Sequence, residues 1–89
     1  INMSISLNPN AWKAYLARAT VLMKLDDFQS ALTDLNKSME LDQDQVVIYY
    51  LRGLVNIALE NNRAACSDLK TAIEGGFEQP KNWVKDNCK

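Results

Sequence analysis

Eighty-nine residues make room for one small domain, and a hydrophobic content of 47% with only three Gly and two Pro suits packed helices joined by short turns. Ten basic against eleven acidic residues leave a net charge of −1, which excludes a nucleic-acid binder that works by bulk charge. No apolar run reaches the roughly 18 residues that a membrane span needs, and no signal peptide is visible.

In chain order, Asn10 follows Pro9 and is a candidate N-cap. Trp12, Tyr15, Leu16, Ala19, Leu22 and Met23 then recur at helical spacing, which predicts a helix over 11–25. Asp26-Asp27 breaks the pattern. Phe28, Ala31, Leu32, Leu35, Met39 and Leu41 predict a second amphipathic helix, and 42–45 reads as a polar turn in which Asp44 would cap the next helix. The third helix is expected over about 45–60. It carries Val46, Val47, Ile48, Tyr49, Tyr50, Leu51, Leu54, Val55, Ile57, Ala58 and Leu59, with almost no polar face, so burial nearly all round is expected. Asn61-Asn62 makes a turn, and a fourth helix over about 63–74 turns Ala64, Ala65, Leu69, Ala72 and Ile73 inward. Gly75-Gly76 ends it, because glycine accepts the left-handed backbone of a helix C-terminus. Pro80 opens a last short helix, 80–88, whose Lys81, Asn82, Lys85, Asp86 and Asn87 give it a polar outer side.

Two stretches match at an offset of 34 residues: Tyr15, Arg18, Val21, Ala31, Asp34, Leu35 and Glu40 recur as Tyr49, Arg52, Val55, Ala65, Asp68, Leu69 and Glu74. A period of this length is one helical hairpin, which cannot bury its apolar face alone and stacks on its neighbours. The ends fit the same register. Residues 1–9 are expected to be the tail and turn of a preceding hairpin, 10–45 and 46–79 two complete repeats, and 80–89 a solubilising cap. The chain begins at Ile1 inside this pattern, so a piece of a longer protein is expected.

These residues resemble the tetratricopeptide repeat (TPR). Its pattern sets a large aromatic at position 4, here Tyr15, Tyr49 and Trp83, and a small residue at position 8, here Ala19 and Gly53. Position 20 is Ala31 and Ala65, position 27 is Ser4, Ser38 and Ala72, and the proline of position 32 is Pro9. The resemblance implies an all-α solenoid of helical hairpins with a C-terminal capping helix. The chain departs from it at position 7, where leucine is replaced by Arg18 and Arg52, and at position 32, where Gln43 and Phe77 replace proline. The arginines sit opposite Asp34 and Asp68 of their own hairpins, so Arg18–Asp34 and Arg52–Asp68 pairs are expected, with the arginine stems laid along the helix interface. Anion binding is their alternative role.

By the same resemblance, the first helix of each repeat lines a concave groove with Lys13, Leu16, Thr20 and Met23, then Val47, Tyr50, Leu54 and Ile57. This groove is mostly apolar. Only Lys13 has the chemistry of the Lys/Arg/Asn clamp by which some members hold acidic C-termini, so an apolar or amphipathic peptide is the better match. The same face can instead be covered by other repeats of the chain or by self-association. Trp12 lies nearby, to pack on Leu7 and the preceding hairpin or to stand exposed as a recognition aromatic.

Cys66 and Cys88 lie on helices that should run side by side and antiparallel, at the same level, so a disulfide tying the cap to the last hairpin is geometrically open. Such a pair resembles bacterial TPR proteins of the cell envelope and would imply an oxidising compartment. The alternative is two buried thiols in a cytosolic protein.

Catalytic chemistry is not expected. There is no histidine to serve as a general base, in a triad or as a ligand, and no CxxC spacing, so no metal or cofactor is expected. Asp26, Asp27, Asp42 and Asp44 fall at turns, where carboxylates cap helices and stay solvated. The seven lysines are dispersed, without the aromatics a nucleic-acid stripe would interleave. The function expected is a protein–protein interaction scaffold, with a structural end-piece or homo-oligomerisation module as the alternative.

Overall fold

The computed structural model describes residues 11–88, which form five α-helices. They are α1 (Ala11–Lys24), α2 (Phe28–Leu41), α3 (Val46–Ala58), α4 (Asn62–Glu74) and α5 (Lys81–Asn87). Helices α1 and α2 pack as one hairpin and α3 and α4 as a second. The hairpins join where α3 lies on α2, and α5 closes the far side of α4. The fold is thus all-α, two stacked hairpins and a final helix. Asn10, Leu7 and the rest of 1–9 lie outside the described residues.

Small residues let the helices of each hairpin approach. Ala19, Ala31, Leu35, Ile48 and Val55 form one fully buried cluster, drawn from α1, α2 and α3. Ala65, Leu69 and Ala72 of α4 are equally buried. Full burial of a Leu, Ile or Val contributes about 1.5–3 kcal/mol, so Leu35, Ile48, Val55 and Leu69 are the principal anchors. Gly53 has a steric role: a Cβ there would stand 2.5 Å from Cδ2 and 2.7 Å from Cγ of Leu69. Ser38, also fully buried, donates from Oγ to the Trp12 carbonyl at 2.7 Å and stitches α2 to α1. Trp12 is half-buried and packs against the core, with Lys13 Nζ 5.7 Å from its ring centre.

Three helix ends share one hydrogen-bonded form, in which the second residue past the cap donates back five positions. Asp27 N donates to Leu22 O (2.9 Å), Asn61 N to Asn56 O (2.8 Å) and Phe77 N to Ala72 O (3.0 Å). The residue before each donor has positive φ: Asp26 (62°), Glu60 (63°) and Gly76 (115°). Glycine is used at one site of three, so the other two turns carry a steric penalty.

Caps differ from the sequence reading at one place. Gln45, not Asp44, occupies the N-cap of α3 and makes no side-chain cap bond. The organiser of that turn is Asp42, whose carboxylate accepts from Asp44 N (3.0 Å) and Gln45 Nε2 (3.1 Å). A carboxylate that already holds two donors leaves Asp44 no turn to make, and Asp44 stays exposed.

Candidate protein-binding face

The side chains expected to line the groove follow one face of α1 and one face of α3. Lys13 is exposed, and Leu16, Thr20, Met23, Val47, Tyr50, Leu54 and Ile57 are all half-buried. They are not equivalent. Leu16, Met23 and Val47 also pack against the buried core. Thr20 turns its hydroxyl onto its own helix, donating to Ala17 O at 2.7 Å. Tyr50 stacks on Phe77 with ring centres 4.7 Å apart and planes 10° from parallel. That stack gives the replacement of proline by Phe77 a physical reason: the aromatic ring after α4 reaches back to α3 and forms a platform at one end of the face. Around α3, Ala58 alone is exposed, so the apolar helix is at least half-buried on every other residue.

Away from this face, each hairpin carries a charged clasp. Arg18 donates from Nε to Asp34 Oδ2 (2.7 Å) and from Nη2 to Asp34 Oδ1 (2.8 Å). Arg52 does the same to Asp68, at 2.9 Å for both bonds. Such two-pronged pairing fixes geometry as well as charge. In both clasps the guanidinium carbon also stands 5.7 Å from the centre of the tyrosine ring three residues earlier, Tyr15 or Tyr49. The repeated Tyr, Arg and Asp therefore act as one unit.

The two clasps differ in setting. Arg18 leaves 65% of its side chain in solvent, whereas Arg52 leaves 24%. Arg52 Nη1 reaches Asn36 Oδ1 of the preceding hairpin at 3.0 Å, and Asn56 Nδ2 donates to Asp68 Oδ2 at 3.2 Å. The second clasp thus locks hairpin to hairpin as well as helix to helix. Hydrogen bonding to the partner carboxylate raises both arginines above their ordinary pKa, and at Arg52 partial desolvation opposes the rise. No buried side-chain polar atom lacks a partner among the described residues.

Asn56 and Asn36 are hydrogen-bond partners of the second clasp that the sequence reading did not single out. Asn56 is 3% exposed, on the otherwise apolar α3. A signal was present: it stands four residues after Arg52, hence on the same helix face.

Cys66 and Cys88 are joined by a disulfide, with Cα atoms 5.7 Å apart, tying α5 to α4 across a separation of 22 residues. In the chain-entropy model, closing such a loop contributes about 3 kcal/mol. Recesses lie off the candidate face: about 330 Å³ beside Arg52 and Asp68, about 380 Å³ beside Arg18 and Asp34, and about 490 Å³ beside the disulfide.

Residues 13–45 match the model of the tetratricopeptide repeat. The chain carries a tetratricopeptide repeat. Tetratricopeptide repeats are in general protein–protein interaction modules. The chain is 32% identical over 73 residues to human serine/threonine-protein phosphatase 5, covering 82% of this chain and 15% of the phosphatase. It is 35% identical over 71 residues to mouse DnaJ homolog subfamily C member 7, covering 80% of this chain and 14% of that protein. It therefore spans about 15% of the length of these curated relatives. Both are mammalian proteins, and the resemblance to bacterial cell-envelope proteins finds no support in them. No solved structure gives a significant match. No helix among the described residues is long and apolar enough to cross a membrane.

Proposed function

We propose that this TPR segment holds an apolar or amphipathic peptide segment of a partner protein against the α1/α3 face. The observation that carries the reading is the run of half-exposed apolar side chains Tyr50, Leu54 and Ile57, ending on the Tyr50–Phe77 stack. A preformed aromatic platform beside aliphatic side chains recognises a peptide by burying one apolar stripe, as helix-in-groove modules do. Recognition, not catalysis, is the work assigned to the chain. One of the relatives, serine/threonine-protein phosphatase 5, is by its name an enzyme, but the stretch shared with it is 15% of its length.

A second reading has its own support. Leu16, Met23 and Val47 already pack against the core, so part of the face is occupied within the chain. In that reading the remainder is covered by further repeats or by a second copy. Tyr50→Ser with Leu54→Ser separates the two. Loss of binding to an amphipathic peptide library, with helical circular dichroism unchanged, supports the peptide groove. Loss of folding, or conversion of a dimer to a monomer in light scattering, supports the structural role and overturns the groove.

A further inference from the structure

The disulfide is placed for chemistry. Both cysteines are half-buried, and both border the recess of about 490 Å³ on the outer side of α4 and α5. Among the described residues, the charged side chains lining that recess are Arg63 and Lys70, and none of its walls is a carboxylate. Arg63 precedes Cys66 by three residues and Lys70 follows it by four, so both share its face of α4. Both are exposed, and neither enters an ion pair among the described residues.

We propose that the Cys66–Cys88 bridge is a thiol–disulfide exchange site for a small thiol carrying carboxylates, and that the exchange unfastens α5. Two uncompensated cations draw an anionic thiol into the recess. The same cations stabilise a thiolate on Cys66, which makes Cys66 the better leaving group of the pair. The incoming thiolate bonds to Cys88 Sγ, the Cys66–Cys88 bond breaks, and its electron pair stays on Cys66 Sγ. No electron is gained or lost in this step. A second thiolate then attacks the mixed disulfide at the small thiol's sulfur, giving a free small-molecule disulfide and the Cys88 thiolate. The protein is thereby reduced by two electrons, and two small thiols are oxidised.

The structural consequence lies in α5. Seven residues are too few for a helix to hold itself in water, and this helix has no fully buried residue. It packs on α4 with half-buried Trp83 and Val84, the buried N-cap Pro80 and the disulfide as its anchors. Once the bridge opens, α5 leaves and uncovers the outer side of α4 while the clasped hairpins stay closed.

The experiment compares reduction of the oxidised chain by mercaptosuccinate, which is anionic, and by 2-mercaptoethanol, which is neutral, at equal thiolate concentration. The expected ratio of rates favours mercaptosuccinate, and R63Q/K70Q lowers that ratio by about 5–10-fold. Leaving-group effects slow both reagents alike and drop out of the ratio. Trapping with iodoacetamide followed by peptide mapping finds the adduct on Cys88. Hydrogen exchange of the reduced chain loses protection in 81–87 and keeps it in α1 to α4. An unchanged ratio in the variant, the adduct on Cys66, or retained protection in α5 overturns the proposal. K70Q alone, at an exposed position, reads the same ratio if the double variant does not fold.

Discussion

Arg52→Met is the sharpest test of how the hairpins are held together. The substitution keeps an apolar stem of similar length but removes the two bonds to Asp68 and the one to Asn36. Asp68 keeps the single bond from Asn56 and remains 7% exposed, a nearly buried carboxylate without its counter-ion. Removing one partner of such a pair costs about 3 kcal/mol. A domain of 89 residues has only about 5–13 kcal/mol of stability in all, so the loss is a large share. Urea unfolding followed by circular dichroism at neutral pH measures it as a lower midpoint with unchanged slope. Arg52→Met with Asp68→Leu removes both charges, and the double variant is expected to be more stable than the sum of the single losses implies, by about 1–3 kcal/mol. A loss below about 0.5 kcal/mol for Arg52→Met, the range of ordinary surface changes, would refute the reasoning. Arg18→Met should lose less, because Arg18 stands mostly in solvent and holds no second hairpin.

Three further outcomes follow from local geometry. Gly53→Ala gains about 1 kcal/mol in helix propensity but forces a Cβ onto fully buried Leu69, an overpacking worth about 1–3 kcal/mol, so a net loss is expected in the same urea assay. Glu60→Gly relieves a left-handed backbone at φ 63° and should raise stability by about 1 kcal/mol; a drop would show that the Glu60 side chain has a role of its own. The hydrogen bonds to Asp34 and Asp68 hold both clasp arginines above their ordinary pKa. A cation with a raised folded-state pKa contributes stability that is fully present below the unfolded value and lost only as pH rises through the folded one. The stability difference between wild type and Arg52→Met should therefore be the same at pH 7 and pH 10, and a difference that shrinks by pH 10 would contradict the sign.

The hairpins were legible because their signals are local and doubled. Tyr, Arg, Ala, Asp and Leu recur at one offset, and each copy independently places the same contacts. The Arg–Asp geometry could be read for the same reason: a charge in the leucine position of a buried interface needs a partner, and one carboxylate per repeat stood opposite. What could not be read depends on single occurrences. Asn56 and Asn36 join a clasp in one of two copies, so no repetition announces them. The Tyr50–Phe77 stack needs the direction in which the chain leaves α4, which the spacing does not contain. Asp26 and Glu60 escaped notice as left-handed residues because the turn takes whatever residue falls there, while only glycine advertises it. The Gln45 cap was missed because Asp42 and Asp44 have the same intrinsic capping chemistry, and the helix start decides between them.

The two copies also show what stacking does to one sequence pattern. Val21 is 55% exposed and Leu25 70% exposed on the first hairpin. Their equivalents one period later, Val55 and Leu59, are fully buried and half-buried, in the cluster that α2 builds with α3. The residue at the first of these positions is valine in both copies, so the difference in burial is the work of the neighbouring hairpin. At the opposite end, α4 meets α5, which the disulfide ties down. Among the described residues the segment is therefore unequal along its stacking axis: Val21 and Leu25 of the first hairpin are exposed, and α4 is covered by the tied-down α5. The more buried clasp, the inter-hairpin bond from Arg52 and the covalent tie all belong to the lidded half. The stability of this segment is consequently graded, and local opening should begin at α1, where hydrogen exchange is expected to be fastest among the four hairpin helices.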